Sequence, residues 1–209
     1  LVFVATANDG EVCDSSNRVI MTSTDNVFSG NEDKNYKEDD QPNPLPNFYG
    51  LTKVEAERTV LDKGGIVVRL QTMLGVNKNL IIDRVYDAID GREYSPFWND
   101  RYVRPSCFED FLIVLKCVAF TSKSGIYHVS CDGEPLSRAD IAKSVLKIHQ
   151  LYGLPYQCEN LAEESCKLYF PKRLVLDTTK TCEDLGLTFT SVEKALGRHV
   201  ISTRKHLKK

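Results

Sequence analysis

At 209 residues, 42% hydrophobic and 27% charged, the chain has the composition of a globular protein of one or two domains. A formal net charge of −2 gives no reason to expect a nucleic-acid partner, and the lack of any apolar run of about 18 residues gives none to expect a membrane span. Seven cysteines without a C-x-x-C pair and four histidines without H-x-x-x-H spacing argue against a disulfide framework and a metal site, and for a reducing, cytoplasmic setting.

The opening LVFVAT (1–6) reads as a buried strand; it lacks the basic flank and apolar length of a signal peptide. RVIMTS (18–23) reads as a second strand. Between them lie only polar residues without amphipathic pattern, whereas neighbouring parallel strands need a crossover of a dozen or more residues, usually a helix. Either that connection is unusual or this sequence lacks a portion of the natural protein. NEDKNYKEDDQPNPLPN (31–47) is polar and proline-rich, hence a surface loop. A helix is expected from about 49 to 61, stopped by Gly64-Gly65, followed by a third strand, GIVVRL (65–70). Helices are expected near 79–90, 108–120 and 137–152, with a fourth strand, GIYHVS (125–130), among them. The final RHVISTRKHLKK (198–209) reads as a basic, frayed tail. Strands alternating with helices predict an α/β fold with a parallel sheet covered by helices.

Two places carry chemistry. Ser23, Thr24 and Asp25 stand at the carboxyl end of the second strand, where open parallel sheets bind ligands. Tyr49 and Lys53, four apart, share one helical face. A hydroxyl that holds a carbonyl, a phenol that donates a proton and a lysine whose charge favours the phenolate make a proton-transfer group. Spacing alone favours a surface helix pair over a catalytic one, so the flanks must decide. By residue type, Asp25 is more often a turn-stabilising carboxylate than a catalyst. Arg69 reads as a buried structural cation, Phe97 and Trp98 as core aromatics before cleft walls, and Cys107 as an inert buried thiol.

The flanks are informative. STDNVFSG (23–30), YKEDDQPNPLPNFYGLTK (36–53) and VVRLQTMLG (67–75) resemble successive motifs of the extended short-chain dehydrogenase/reductase superfamily. Within it they are most similar to the dTDP-4-dehydrorhamnose reductase family, with its S-T-D-x-V-F-x-G, its acidic loop ending in P-L-x-x-Y-G-x-S/T-K, and a strand ending in Arg. RPSCFEDFLIVL (104–115) and FPKRLVLDTTKTCEDLGL (170–187), with Asp177 and Lys180, continue the resemblance, which runs from about residue 18 to 197.

The resemblance implies a Rossmann-like, doubly wound parallel sheet (1–75 with 125–130), a smaller α/β substrate-binding portion (76–124 with 131–197) and a tail (198–209). It implies NADPH or NADH as cofactor and reduction of a 4-keto-6-deoxy sugar nucleotide, with Thr24, Tyr49 and Lys53 as the catalytic set and Tyr49 as proton donor. Ala5, Thr22, Ser23, Tyr49, Lys53 and Leu70 would face the cofactor, and Thr24, Asp25, Val27, Phe28 and Pro105 the substrate. A related sugar epimerase or dehydratase would use the same triad, though such relatives more often carry S-S-x-x-V-Y-G. The same subfamily holds the regulatory beta subunit of methionine adenosyltransferase, so a homodimer or a regulatory protein partner is a further expectation.

Three departures stand out. VATANDG (4–10) has Val4 and Ala7 where a glycine-rich dinucleotide loop has glycines. It matches better a later family strand that ends in small residues and lines the cofactor, which leaves the first βαβ portion absent or incomplete here. Phe170 precedes Pro171 where the family pattern has Arg, and the turn before Tyr49 is one residue longer.

Overall fold

The computed structural model describes residues 2–4, 18–75, 80–89, 97–151, 163–165 and 170–203. Four parallel strands form the main sheet: β1 (Val2–Val4), β2 (Val19–Thr24), β3 (Ile66–Leu70) and β8 (Gly125–Val129), in that spatial order. The register pairs Val2 with Val19, Ile20 with Ile66, and Ile66 with Gly125.

Period-two alternation sends each strand's side chains to the two faces of the sheet. Val19, Met21 and Val67 meet Ala56 and Val60 of α1 (Phe48–Asp62) on one face. Ile20, Ile66, Val68, Tyr127 and Val129 meet Val114 and Val118 of α3 (Phe108–Phe120) on the other. Burial on both faces is why the strands are almost continuously apolar, as in doubly wound folds. The segment linking β1 to β2, including Ala5, lies outside the described residues.

Helix α1 starts where Asn47 caps it, its side-chain oxygen accepting from the Gly50 N–H at 2.7 Å. It ends before Gly64, whose φ of 71° suits glycine. Its buried stripe, Gly50, Lys53, Ala56, Glu57 and Val60, follows helical spacing yet contains two charges. Both are partnered. Lys53 Nζ donates to the Thr22 carbonyl at 3.3 Å, and Glu57 binds Arg69 of β3 at 2.8 Å, each partner about 1–2% exposed. Arg69 is therefore a buried structural cation; it also touches His128 Nε2 at 3.3 Å and stacks its guanidinium 4.9 Å from the Phe28 ring.

A second core joins α2 (Leu80–Ile89), α4 (Arg138–Leu151) and α6 (Val192–Thr203) through Ile82, Val85, Val145, Leu196 and Val200. Short strands connect this portion to the sheet's carboxyl end. β6 (Tyr102–Val103) lies between β11 (Arg173–Leu174) and β9 (Leu136–Ser137), while β4 (Met73–Leu74) pairs with β7 (Ser106–Cys107) and β5 (Phe97–Trp98) with β10 (Glu163–Glu164). A short helix, α5 (Thr179–Leu185), precedes α6.

The structure corrects the expected tail. Residues 198–203 belong to α6, with His199, Val200 and Thr203 buried; His199 Nδ1 accepts from the Gly75 N–H at 3.0 Å, and Thr203 meets the Tyr86 hydroxyl at 2.7 Å. The basic residues Lys205, Lys208 and Lys209 suggested solvent, but the apolar and small residues ahead of them still keep helical register. Residues 204–209 lie outside the described part.

Candidate active site

The site forms where β2 ends. Thr24, still extended, caps a one-turn 3₁₀ helix, Asp25–Val27, its hydroxyl oxygen accepting from the Asn26 N–H at 3.2 Å. The chain then makes the long 31–47 loop and returns as α1, whose first turn lies against that same 3₁₀ turn. Gly50 permits this approach: a Cβ there would stand 2.7 Å from the Asn26 carbonyl oxygen and 2.9 Å from Pro44 Cβ. The glycine after Tyr49 is thus what seats the tyrosine beside Thr24.

Thr24, Asp25 and Tyr49 line one cleft with Gln71, Trp98 and Arg138. Tyr49 is 53% exposed, whereas Thr24 and Lys53 are each 7% exposed. Lys53 lies one turn beyond Tyr49 on the buried side of α1, held by the Thr22 carbonyl. Asp25 is buried, and burial pushes its carboxyl up to about 6 despite hydrogen bonds from Thr24, Gln71 and Asn26. The turn-stabilising role expected of it is present, since its Oδ1 accepts from the Thr24 hydroxyl at 3.0 Å and from Asn26 Nδ2 at 2.9 Å.

Gln71 is the hub. Its Nε2 donates to Asp25 Oδ2 at 3.3 Å and to the Leu174 carbonyl, while its Oε1 accepts from the Ser130 hydroxyl at 3.1 Å and the Leu176 N–H at 3.3 Å. The opposite wall is aromatic and basic. The Trp98 and Phe170 rings stand 5.0 Å apart, with the Arg138 guanidinium 4.4 Å from the Trp98 ring and 5.8 Å from Phe170. Arg101 and Tyr102 complete that wall.

The expected site residues divide. Thr24, Asp25 and Tyr49 reach the cleft, and Lys53 stands behind it. Ser23 is buried with a hydroxyl that has no hydrogen-bond partner among the described residues, and Thr22 contributes its carbonyl. Leu70 is half-buried against the α3-side core. Val27 and Phe28 do not join the cleft lining; they are buried with Tyr36, Leu174 and Leu176, Phe28 stacking on Tyr36 at 4.4 Å. After the Asp25–Val27 turn their apolar side chains point inward, so they support the site from below. Pro105 is likewise buried, its carbonyl accepting from the Cys131 N–H at 2.7 Å. Ala5 lies outside the described residues.

Phe97 is a core residue, as expected, but Trp98 is a cleft wall: consecutive residues of β5 face opposite sides. Asp177 caps the start of α5, accepting from the Thr179 N–H at 2.9 Å, and Lys180 pairs with Asp184 at 3.5 Å. Cys107 is buried, its thiol donating to Glu109 Oε2 at 2.9 Å, and burial pushes it up. Gln71 and Arg138 were missed. Gln71 sits two residues past Arg69 in a motif already singled out, whereas nothing local distinguishes Arg138.

A parallel sheet wound on both faces, a hydroxyl at a strand's carboxyl end, and a tyrosine and lysine on the following helix define a Rossmann-like protein of the extended short-chain dehydrogenase type. The match to a known family is specific: over residues 4–204 the chain belongs to the RmlD substrate binding domain family. It is 34% identical over 127 residues to methionine adenosyltransferase 2 subunit beta of Xenopus tropicalis, a stretch covering 54% of this chain and 36% of that protein. It is 30% identical over 127 residues to dTDP-4-keto-6-deoxy-D-glucose reductase of Streptomyces niveus, covering 59% and 44%. The crystal structure of dTDP-4-dehydrorhamnose reductase from Bacillus anthracis, in complex with NADP, aligns with a TM-score of 0.76 at 25% identity, over 90% of this chain and 65% of that one. The chain thus spans less than half the length of these two curated relatives.

Proposed function

We propose that the chain carries the reductase site of an NAD(P)H-dependent enzyme acting on a 4-keto-6-deoxy sugar nucleotide. The observation that supports it is one cleft, at the carboxyl end of the parallel sheet, lined by both Thr24 and Tyr49, with Lys53 buried one helical turn beyond Tyr49 and bonded to the Thr22 carbonyl. The residues present fit the nicotinamide–ribose end of a dinucleotide. Lys53 offers an ammonium, Tyr49 a phenol, and Ser23 a buried hydroxyl without a partner among the described residues, on the strand face that α1 covers. The cofactor, when bound, would supply hydride to the keto carbon.

This chain's own residues supply the rest. Tyr49 gives its proton to the carbonyl oxygen as charge develops there. Lys53, held by the Thr22 carbonyl one helical turn beyond Tyr49, brings an ammonium, the donor type that ribose hydroxyls take. Thr24 positions the oxygen. Trp98 and Phe170 offer flat faces to a sugar or base, and Arg138 and Arg101 bring positive charge to a diphosphate. That charge compensates for Phe170 standing where the family pattern has Arg.

Calorimetry with NADPH and NADH tests the reading, followed by loss of NADPH absorbance with dTDP-4-keto-6-deoxy-D-glucose. Lys53→Ala is expected to weaken cofactor binding about tenfold or more, roughly 1.4 kcal/mol. Tyr49→Phe is expected to keep cofactor binding while kcat falls by about 10²–10⁴. A folded chain that binds neither dinucleotide sinks the proposal. A second reading, a regulatory subunit, is favoured by the 34% identity to methionine adenosyltransferase 2 subunit beta. It expects a stable complex with a methionine adenosyltransferase catalytic subunit and no sugar-nucleotide turnover.

A further inference from the structure

A threonine hydroxyl has one hydrogen to give and two lone pairs with which to receive. At Thr24 all three are used. The hydrogen goes to Asp25 Oδ1 at 3.0 Å, while the oxygen accepts from the Asn26 N–H at 3.2 Å and from Asn26 Nδ2 at 3.1 Å. So committed, Thr24 has no hydrogen for a carbonyl oxygen in the cleft, although that is the contact a reductase requires of it.

We propose that Asp25 is the positioning residue that releases the Thr24 hydrogen: with a proton on Oδ1, the Asp25 carboxyl donates to Thr24, and Thr24 turns its own hydrogen onto the substrate carbonyl. The proposal rests on the reductase reading above. The hydrogen count balances. Asn26 Nδ2, which bonds both Thr24 and Asp25 Oδ1, gives up Thr24 and keeps Asp25 at 2.9 Å, so Thr24 still receives two hydrogens and donates one. Oδ1 is the oxygen that bonds Thr24, so it is there that the proton must sit, while Gln71 Nε2 bonds Oδ2 at 3.3 Å. Gln71 is itself anchored by Ser130 and Leu176, so the carboxyl cannot swing away from Thr24 without breaking that hub.

The surroundings allow the neutral form. Thr24, Asn26 and Gln71, which bond the carboxyl, are all uncharged. The charged and titratable groups that line the cleft with Asp25 are Tyr49, Arg101, Tyr102 and Arg138; those buried in the packed elements include Lys53 and Glu57 of α1, Arg69 of β3 and His128 of β8, and Arg173 stands on β11. Arg69 is engaged by Glu57, and Arg173 by Asn35 and Asp33. Against that background burial still holds Asp25 up at about 6.

Two measurements decide it. In carbon-13 carboxyl spectra, with the Asp25 signal assigned by its loss in Asp25→Asn, Thr24→Val is expected to titrate Asp25 at higher pH than the wild type, because the bond that favours the ionised form is gone. An unchanged titration overturns the proposal. In turnover of dTDP-4-keto-6-deoxy-D-glucose with NADPH, wild-type kcat is expected to fall as Asp25 ionises. Asp25→Asn, whose amide can donate to Thr24 at every pH, is expected to lose that step from its kcat profile whatever the height of the profile; Thr24→Ser is expected to keep the step. An active wild type whose step survives in Asp25→Asn overturns the proposal alone. A folded wild type that turns nothing over at any pH overturns the reductase reading and the proposal with it.

Discussion

At the scale of single residues, Gly50 does more than its size suggests. Tyr49 and Lys53 are recognised by spacing, but a helix that begins at Phe48 brings them to Thr24 only if its first turn can lie on the Asn26 carbonyl. A methyl group at position 50 would meet backbone, which cannot rotate aside. Gly50→Ala is therefore expected to cost about 1–3 kcal/mol of stability, read as a lower urea midpoint, and to reduce turnover as α1 tilts off the turn. Full stability and activity in that variant would refute the close approach. Asp25 shows the complementary point. Its type favoured a turn role, which it has; its burial in the cleft, which gives that role chemical weight, depends on Gln71 and Leu174, residues 46 and 149 positions later in the chain.

At the scale of elements, α1 is anchored by charge as much as by apolar surface. Lys53 and Glu57 occupy its buried stripe, and Glu57 fixes the helix to β3 through two hydrogen bonds from Arg69, at 3.0 and 2.8 Å. Removing one member leaves the other charge buried and unpaired. Glu57→Ala is expected to destabilise by about 3–5 kcal/mol, far more than an exposed pair such as Arg58–Asp62 at 3.9 Å. An equal effect of Asp62→Ala on a urea midpoint would count against the buried pair as anchor. The last turns of helix α6 were not anticipated because the sequence just beyond them is rich in lysine. Its hold on the fold comes from His199 and Thr203 meeting Gly75 and Tyr86, contacts that exist only once the second core has formed.

At the scale of the whole molecule, acid stability is a sum of opposing groups. His128 is pushed down to about 3 by burial and by Arg69, and His199 is lowered by burial. Below the unfolded value of 6.5 the unfolded chain takes protons that these two refuse, so stability falls with pH, for His128 by up to about 1.4 kcal/mol per pH unit down to its folded value. Asp25, raised to about 6, and Glu38, raised by burial, act in the other sense. Between about 6 and 3.8 the folded state keeps the Asp25 proton that the unfolded state releases, so stability rises as pH falls. Across that window His128 and Asp25 act in opposite senses, so the dependence is expected to be shallower than His128 alone would give. Asp25→Asn removes one compensating group and is expected to steepen the loss on acidification; urea midpoints from pH 7 to pH 4 that stay parallel in the two proteins would contradict this.

The sequence by itself determined the class. Alternating strands and helices, a hydroxyl at a strand end and Y-x-x-x-K on the next helix are local patterns, because a strand's period and a helix's turn are properties of short segments. Family motifs in order then single out Thr24, Tyr49 and Lys53 as the candidate set. Tertiary structure alone decided the rest: that Val27, Phe28 and Pro105 turn inward, that Trp98 rather than Phe97 faces the cleft, and that Gln71 and Arg138 complete it. The residues of that cleft span Thr24 to Leu174, and no local period relates positions so far apart. Only the packing of two cores, with buried charges obliged to find partners, fixes which of them meet.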